Sequence, residues 1–144
     1  MRAVVCGPES SGTRALAANV RALASPHGLE VRRLSLPHGE YWWGHQEVTG
    51  SKVIIITRRP DYQAISAARS GCTATVEEAA AEWPRAIGML ASIPGAYWVL
   101  YEAMVQDAAT QWAGICAFLG IPFDSNLVEP WRDENAKYAA EAVA

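Results

Sequence analysis

Residues 3–14 read AVVCGPESSGTR, a continuous apolar run followed at once by two glycines five positions apart, Gly7 and Gly12. Ala3 to Cys6 suits a short strand buried on both faces. Gly7-x-x-x-x-Gly12 has the spacing of a phosphate-binding loop, in which glycines let phosphate oxygens approach backbone N–H groups. Ser10, Ser11 and Thr13 add hydroxyl donors, and a helix starting at Thr13 would present its positive end. In the loops that bind nucleoside triphosphates, Lys and then Ser or Thr follow the second glycine; here Thr13 and Arg14 stand in those places. Neither the Lys that reaches the terminal phosphates nor the hydroxyl that holds magnesium is present. The reading is a loop for phosphate or sulfate, set against a purely structural turn.

Working outward, strands alternate with helices. Leu16, Val20 and Leu23 share a face of a helix expected over 13–24, and Ser25-Pro26-His27-Gly28 stops it. Leu29–Leu36 reads as a second strand. Lys52–Thr57 (KVIIIT), β-branched and apolar on both faces, suits the centre of a parallel sheet. A short helix is expected over 61–70. Thr75 and Glu78 form a capping-box pattern opening a helix with Trp83, Ile87 and Leu90 on one face, which Pro84 should kink or divide. Ala96–Tyr101 is the fourth strand. Asp107 caps a helix to Leu119 with Ala108, Trp112, Ile115 and Leu119 inward, ended by Gly120 and Pro122. The tail, 133–144, is read as a final helix. The fold class is α/β with a largely parallel sheet.

The chain has 144 residues, 51% hydrophobic and 19% charged, as expected of one folded domain. A net charge of −3 and a pI of about 5.6 argue against general nucleic-acid binding while leaving room for a local basic pocket. Cys6, Cys72 and Cys116 are scattered and odd in number, fitting neither a disulfide framework nor a zinc site. With no membrane-length apolar stretch and no signal-peptide pattern, a cytoplasmic location is expected.

In open α/β sheets, ligands bind beyond the carboxyl ends of strands. Three segments fall there: Gly7–Arg14, Ser35–His45 and Arg58–Ser66. KVIIIT runs into Arg58 and Arg59, cations suited to an anion and not to a metal. At this point the residues resemble the sulfotransferases that use 3′-phosphoadenosine 5′-phosphosulfate (PAPS). Ser11-Gly12-Thr13 matches the core of their phosphosulfate loop. Arg58, Pro60 and Ser66 match the spacing of their second signature, in which the Arg and the Ser grip the 3′-phosphate; a guanidinium and a hydroxyl at a helix start do form a compact anion clamp. Tyr101-Glu102 and the ending Phe118-Leu119-Gly120-Ile121-Pro122-Phe123 match a third pair of segments. The resemblance covers roughly Val4 to Phe123 and implies a P-loop three-layer sandwich, a mostly parallel four- to five-stranded sheet between helices. It implies nucleotide contacts at Gly7, Ser10, Ser11, Gly12, Thr13, Arg14, Arg58, Ser66 and Tyr101, with PAPS as co-substrate and no metal.

The chain departs from the family pattern at several positions. Ser10 stands where many members have Lys, with Arg14 the nearest replacement cation. Ala15 stands near the place of the aromatic that stacks on adenine. Ser35 occupies the position of a catalytic His, and His38 lies three residues on at the same rim. The chain is also much shorter than typical members, so the helices that shape the acceptor pocket are expected to be largely missing. Sulfuryl transfer needs a deprotonated acceptor, and a neutral His with a pKa near about 6.5 suits proton removal. His38 is the candidate base, against a loop histidine capping a turn, with Glu40 and His45 behind it. Arg14 is the second candidate catalytic residue, stabilising charge on the phosphosulfate, against a solvated first-turn side chain. Trp42 and Trp43, in EYWWGH, line an acceptor pocket, face a partner, or pack their loop on the core. Lys137 reaches a phosphate from the tail or lies on a solvated helix face. The partner expected is a small-molecule or protein acceptor carrying a hydroxyl or amine, with neither nucleic acid nor membrane; a homodimer is an option. Two other functions remain open: a small nucleotide or metabolite kinase, and a non-catalytic nucleotide-binding module that engages a protein through EYWWGH.

Overall fold

A computed structural model describes residues 1–36 and 48–142, and the account below is of those residues. The strands are β1 (Arg2–Pro8), β2 (Glu30–Leu36), β3 (Lys52–Thr57) and β4 (Tyr97–Leu100); the helices are α1 (Thr13–Ala24), α2 (Pro60–Arg69), α3 (Val76–Ala91), α4 (Tyr101–Gln106), α5 (Ala108–Leu119) and α6 (Ala139–Ala142). The sheet has four strands in the order β2-β1-β3-β4, every pair parallel, with Ala3 opposite both Val31 and Lys52 and Ile54 opposite Tyr97.

The period of two along the strands divides the interior into two layers. Ala3, Val5, Ile54, Ile56 and Val99 face α1 and α5, meeting Leu16, Val20, Trp112 and Ile115. Val4, Cys6, Val53 and Ile55 face the opposite way, onto Ala86 and Leu90 of α3. Both faces of β1 and β3 are thus buried, which is why their sequences read as unbroken apolar runs instead of alternating ones. Helices on both faces make the expected three layers.

Helix α1 begins and ends where its apolar face and the Ser25-Pro26 stop place it. At α3, Thr75 Oγ1 accepts from Glu78 N–H at 3.1 Å, while the Glu78 carboxylate accepts from Ala74 N–H at 3.0 Å, one residue before the cap. Asp107 caps α5 through Thr110 N–H, and Gly120 closes it in the left-handed region.

Three expectations are corrected. Pro84 does not divide α3, which runs unbroken through it; Pro84 and Ala80, whose carbonyl loses its donor, are both exposed, so water can take the freed oxygen. The fourth strand stops at Leu100, and Tyr101 opens α4. The tail is not one helix: a short 3-10 turn, Ala136–Tyr138, precedes α6. The inward faces also differ slightly, since Ala79, Ala86 and Leu90 are the buried residues of α3, while Trp83, Ile87 and, on α5, Ala108 are half-buried.

Candidate functional site

Gly7 is the last but one residue of β1, and its reason for being glycine is steric. A Cβ there would stand 2.2 Å from the Ile56 carbonyl oxygen of β3, so only hydrogen fits where the two strands converge under the loop. Beyond it the chain turns sharply. Ser11 N–H donates to the Pro8 carbonyl at 3.2 Å, and Ser10 (φ 63°) and Gly12 (φ 93°) both take left-handed conformations. For Ser10 this conformation is strained, a cost of about 1–2 kcal/mol that surrounding contacts must offset.

Those contacts come from Arg58, directly after β3. Arg58 is only 5% exposed. Nη1 donates to the Ser10 carbonyl at 3.0 Å, Nε donates to Asn135 Oδ1 at 2.6 Å, and the guanidinium lies over the Tyr101 ring at 4.6 Å. Asn135 in turn donates to Glu102 Oε2 at 2.8 Å, and Glu102 Oε1 accepts from Arg59 N–H at 2.7 Å. Gln63 of α2 holds the loop from its other side, donating to the Glu9 carbonyl at 2.6 Å.

Tyr101 ties loop and tail together. Its ring lies beneath Gly12, where an added Cβ would come within 3.0 Å of it, and packs edge-on to Trp131 at 5.4 Å. Its hydroxyl donates to the Arg132 carbonyl at 2.8 Å and accepts from Glu134 N–H at 2.9 Å. Burial raises its phenol above the usual value, outweighing the Glu134 hydrogen bond and the Arg58 charge, which pull it down. Asn19 of α1 completes the fastening by accepting from Glu129 N–H at 2.8 Å. The stretch from 129 to 138 is thereby strapped across the carboxyl end of the sheet.

Between strap, loop and the first turns of α1 lies a groove of about 1570 Å³. Ser10, Gly12, Thr13, Arg14, Arg58, Ser66 and Tyr101 all line it, so seven of the nine predicted contact residues come together in one space. Gly7 and Ser11 do not line it: Gly7 lies inside the sheet and Ser11 is wholly buried beneath the loop. Arg14 is exposed on the wall. Thr13 Oγ1 and Ser35 Oγ are 3.1 Å apart, and Arg33 reaches the same Ser35 oxygen at 3.2 Å. Across the groove Arg132 and Lys137 face it from the strap, Lys137 paired with Glu134 at 2.9 Å. Five cationic side chains against three carboxylates favour an anion. His38, Glu40, Tyr41, Trp42, Trp43 and His45 lie outside the described residues.

The sequence reading missed Asn135, Gln63 and Trp131. Asn135 meets Arg58 across 77 positions of sequence, and no local pattern announces such a contact. Gln63 and Trp131 carry no signature either; only the place of each in the fold, Gln63 buried beside the loop and Trp131 half-buried against Tyr101, gives them meaning.

The same fold occurs in solved structures. A mouse sulfotransferase, SULT7A1 complexed with PAP, is similar over 98% of this chain and 63% of its own, at 16% identity and a TM-score of 0.62. The chain has the sulfotransferase fold. The sulfotransferase domain of the Synechococcus PCC 7002 olefin synthase is similar over 95% of this chain and 82% of its own, at 16% identity and a TM-score of 0.66. This sulfotransferase-fold chain therefore spans less than two thirds of the mouse protein's length. No protein-family model and no curated protein matches the sequence. Among the described residues no helix is long and apolar enough to cross a membrane.

Proposed function

We propose that the groove binds PAPS and that the protein transfers its sulfuryl group to a hydroxyl or amine of an acceptor. The observation that carries this reading is the Arg58 cluster. A nearly buried Arg58 is fixed behind the loop, lines the groove together with Ser66, and keeps Nη2 buried without a hydrogen-bond partner among the described residues. A buried charged donor left unpaired is costly, and a phosphate oxygen is the partner that would offset the cost. The likeness to a structure complexed with PAP supports the same choice.

In this reading the loop N–H groups and Arg14 take the 5′-phosphosulfate, while Arg58 and Ser66 take the 3′-phosphate. Trp131, which lines the groove along with Ala15 and Ala18 of α1, offers adenine an aromatic wall in place of the aromatic absent at position 15. When bound, PAPS supplies the sulfuryl group: the acceptor atom forms a bond to sulfur as the bond from sulfur to the bridging oxygen breaks. His38 accepts the acceptor's proton, and Arg14 balances the charge growing on the leaving phosphate.

Calorimetry with adenosine 3′,5′-bisphosphate tests the reading. Binding without magnesium is expected, and Arg58→Ala should weaken it by about 10- to 100-fold, the loss of a charge-assisted hydrogen bond. Thermal melts show whether that variant stays folded. Ser66→Ala, on the α2 side of the same groove, provides a gentler version with a smaller loss. Absence of bisphosphate binding, or tighter binding of magnesium-ATP, would overturn the assignment; the second result would point to a kinase. With binding established, transfer of labelled sulfate and its loss in His38→Ala separate a catalyst from a nucleotide-binding module.

A further inference from the structure

A second cavity, of about 240 Å³, opens beside the groove and shares Glu9 and Cys72 with it. Its remaining walls come from Gln63 and Ala67 of α2, Thr73, and Ala79, Glu82 and Arg85 of α3. Two acceptor atoms among these residues are buried and make no hydrogen bond among the described residues: Gln63 Oε1 and Glu82 Oε2. The orientation of the Gln63 amide is not arbitrary, because its nitrogen must donate to the Glu9 carbonyl, which can only accept. The oxygen is therefore the atom left over, on a side chain just 4% exposed. Glu82 Oε2 stands 3.5 Å from Arg85 Nη1, close enough for an ion pair but without a hydrogen bond.

The charge of the cavity has a sign. Two carboxylates, Glu9 and Glu82, and one guanidinium, Arg85, line it, with Arg85 beside Glu82. The Cys72 thiol registers the same field: burial first, then the Glu9 carboxylate, pushes it above its ordinary value. Buried acceptors short of hydrogen bonds, in a lining where carboxylates outnumber guanidiniums, suit a cation that brings its own N–H groups. The volume is below that of a drug-sized pocket and suits a head group.

We infer that this cavity recognises the ammonium head of the acceptor through Gln63 Oε1 and Glu82 Oε2. The acceptor then extends past Glu9 into the groove, where the donor nucleotide sits; that part rests on the sulfotransferase reading, whereas the preference for an ammonium does not. The protonated amine serves recognition only. A separate hydroxyl or neutral amine on the same molecule takes the sulfuryl group.

The test is a titration of the full, isotopically labelled chain, without nucleotide, with n-butylammonium, n-butanol and butyrate, followed by NMR. Butylammonium should shift the Gln63 side-chain amide and the Ala79 and Cys72 backbone signals saturably, with an affinity about tenfold above that of butanol. Glu82→Gln should weaken it by about tenfold and leave adenosine 3′,5′-bisphosphate binding unchanged. Equal response to butanol, unchanged affinity in Glu82→Gln, or shifts confined to other surfaces would each overturn the inference. Should that variant not fold, the contrast of ammonium with alcohol on the wild-type chain decides alone. A protein that takes butylammonium but not the bisphosphate keeps this cavity's role and loses the donor reading; the reverse result removes the cavity's role alone.

Discussion

Asn135 is the residue on which the strap and the loop depend together, and its replacement by alanine makes the sharpest test. Asn135→Ala removes two hydrogen bonds, one from Arg58 Nε at 2.6 Å and one to Glu102 at 2.8 Å. The first joins two buried residues, so its loss leaves a second guanidinium nitrogen unpartnered beside Nη2. Such a charged bond is worth about 1.5–3 kcal/mol. Glu102 is only half-buried, so water can replace its partner and that part costs well under about 1 kcal/mol. The sum is about 2–3 kcal/mol, or about 6–12 °C in melting temperature for a domain of this size. Thermal unfolding followed by circular dichroism measures it. A double-mutant cycle with Arg58→Met gives the more specific answer. Once the guanidinium is gone, Asn135→Ala should cost less than about 1 kcal/mol, because the charge it served is absent. Additive costs in the cycle, or a melting temperature within about 2 °C of the wild type, would refute the claim that the strap holds Arg58 in place.

Two further outcomes follow from the packing. Gly7→Ala puts a methyl group 2.2 Å from a backbone oxygen on the neighbouring strand and should cost about 3 kcal/mol or more, whereas Gly88→Ala, in α3 with open space around it, should be neutral or stabilising by up to about 1 kcal/mol; denaturant melts of both compare them directly. Burial holds the Cys6 thiol up to about 12, from an ordinary 9.0. Because the folded value is the raised one and the group is neutral when protonated, the unfolded chain loses its proton first as pH rises. Cys6 therefore contributes nothing to pH dependence below about 9, and between about 9 and about 12 stability falls by about 1.4 kcal/mol per pH unit. Cys6→Ala should flatten that slope by one proton, and an unchanged slope in alkaline melts would contradict it.

The sequence was most legible where local chemistry and tertiary packing agree. The KVIIIT strand, the apolar face of α1, the Thr75 and Asp107 caps and Gly120 each say the same thing at both levels. The predicted anion loop lies in the expected strand-to-helix setting, and Arg58 and Ser66 line its groove. Legibility failed where tertiary contacts decide. Tyr101 reads as a strand residue by its neighbours, yet it starts a helix in which its hydroxyl meets both Arg132 and Glu134 of the strap. Pro84 reads as a break, but a helix tolerates it where the freed carbonyl faces water. Asn135 and Gln63 are polar residues whose importance lies in what is buried beside them, which spacing alone does not convey.

The order β2-β1-β3-β4 has a consequence for how the protein is made. No strand pairs with a neighbour reached by a tight turn: Ala3 must wait for Val31 and again for Lys52, each across a crossover. Contact order is therefore high, and the entropy of closing these loops is lost before any pairing compensates it. Pro8–Arg14 springs from the end of β1, the strand flanked on both sides, and Arg58 springs from β3 beside it. The loop after β1 is thus expected to take shape only together with the sheet, and chains caught part-way would lack the groove it lines.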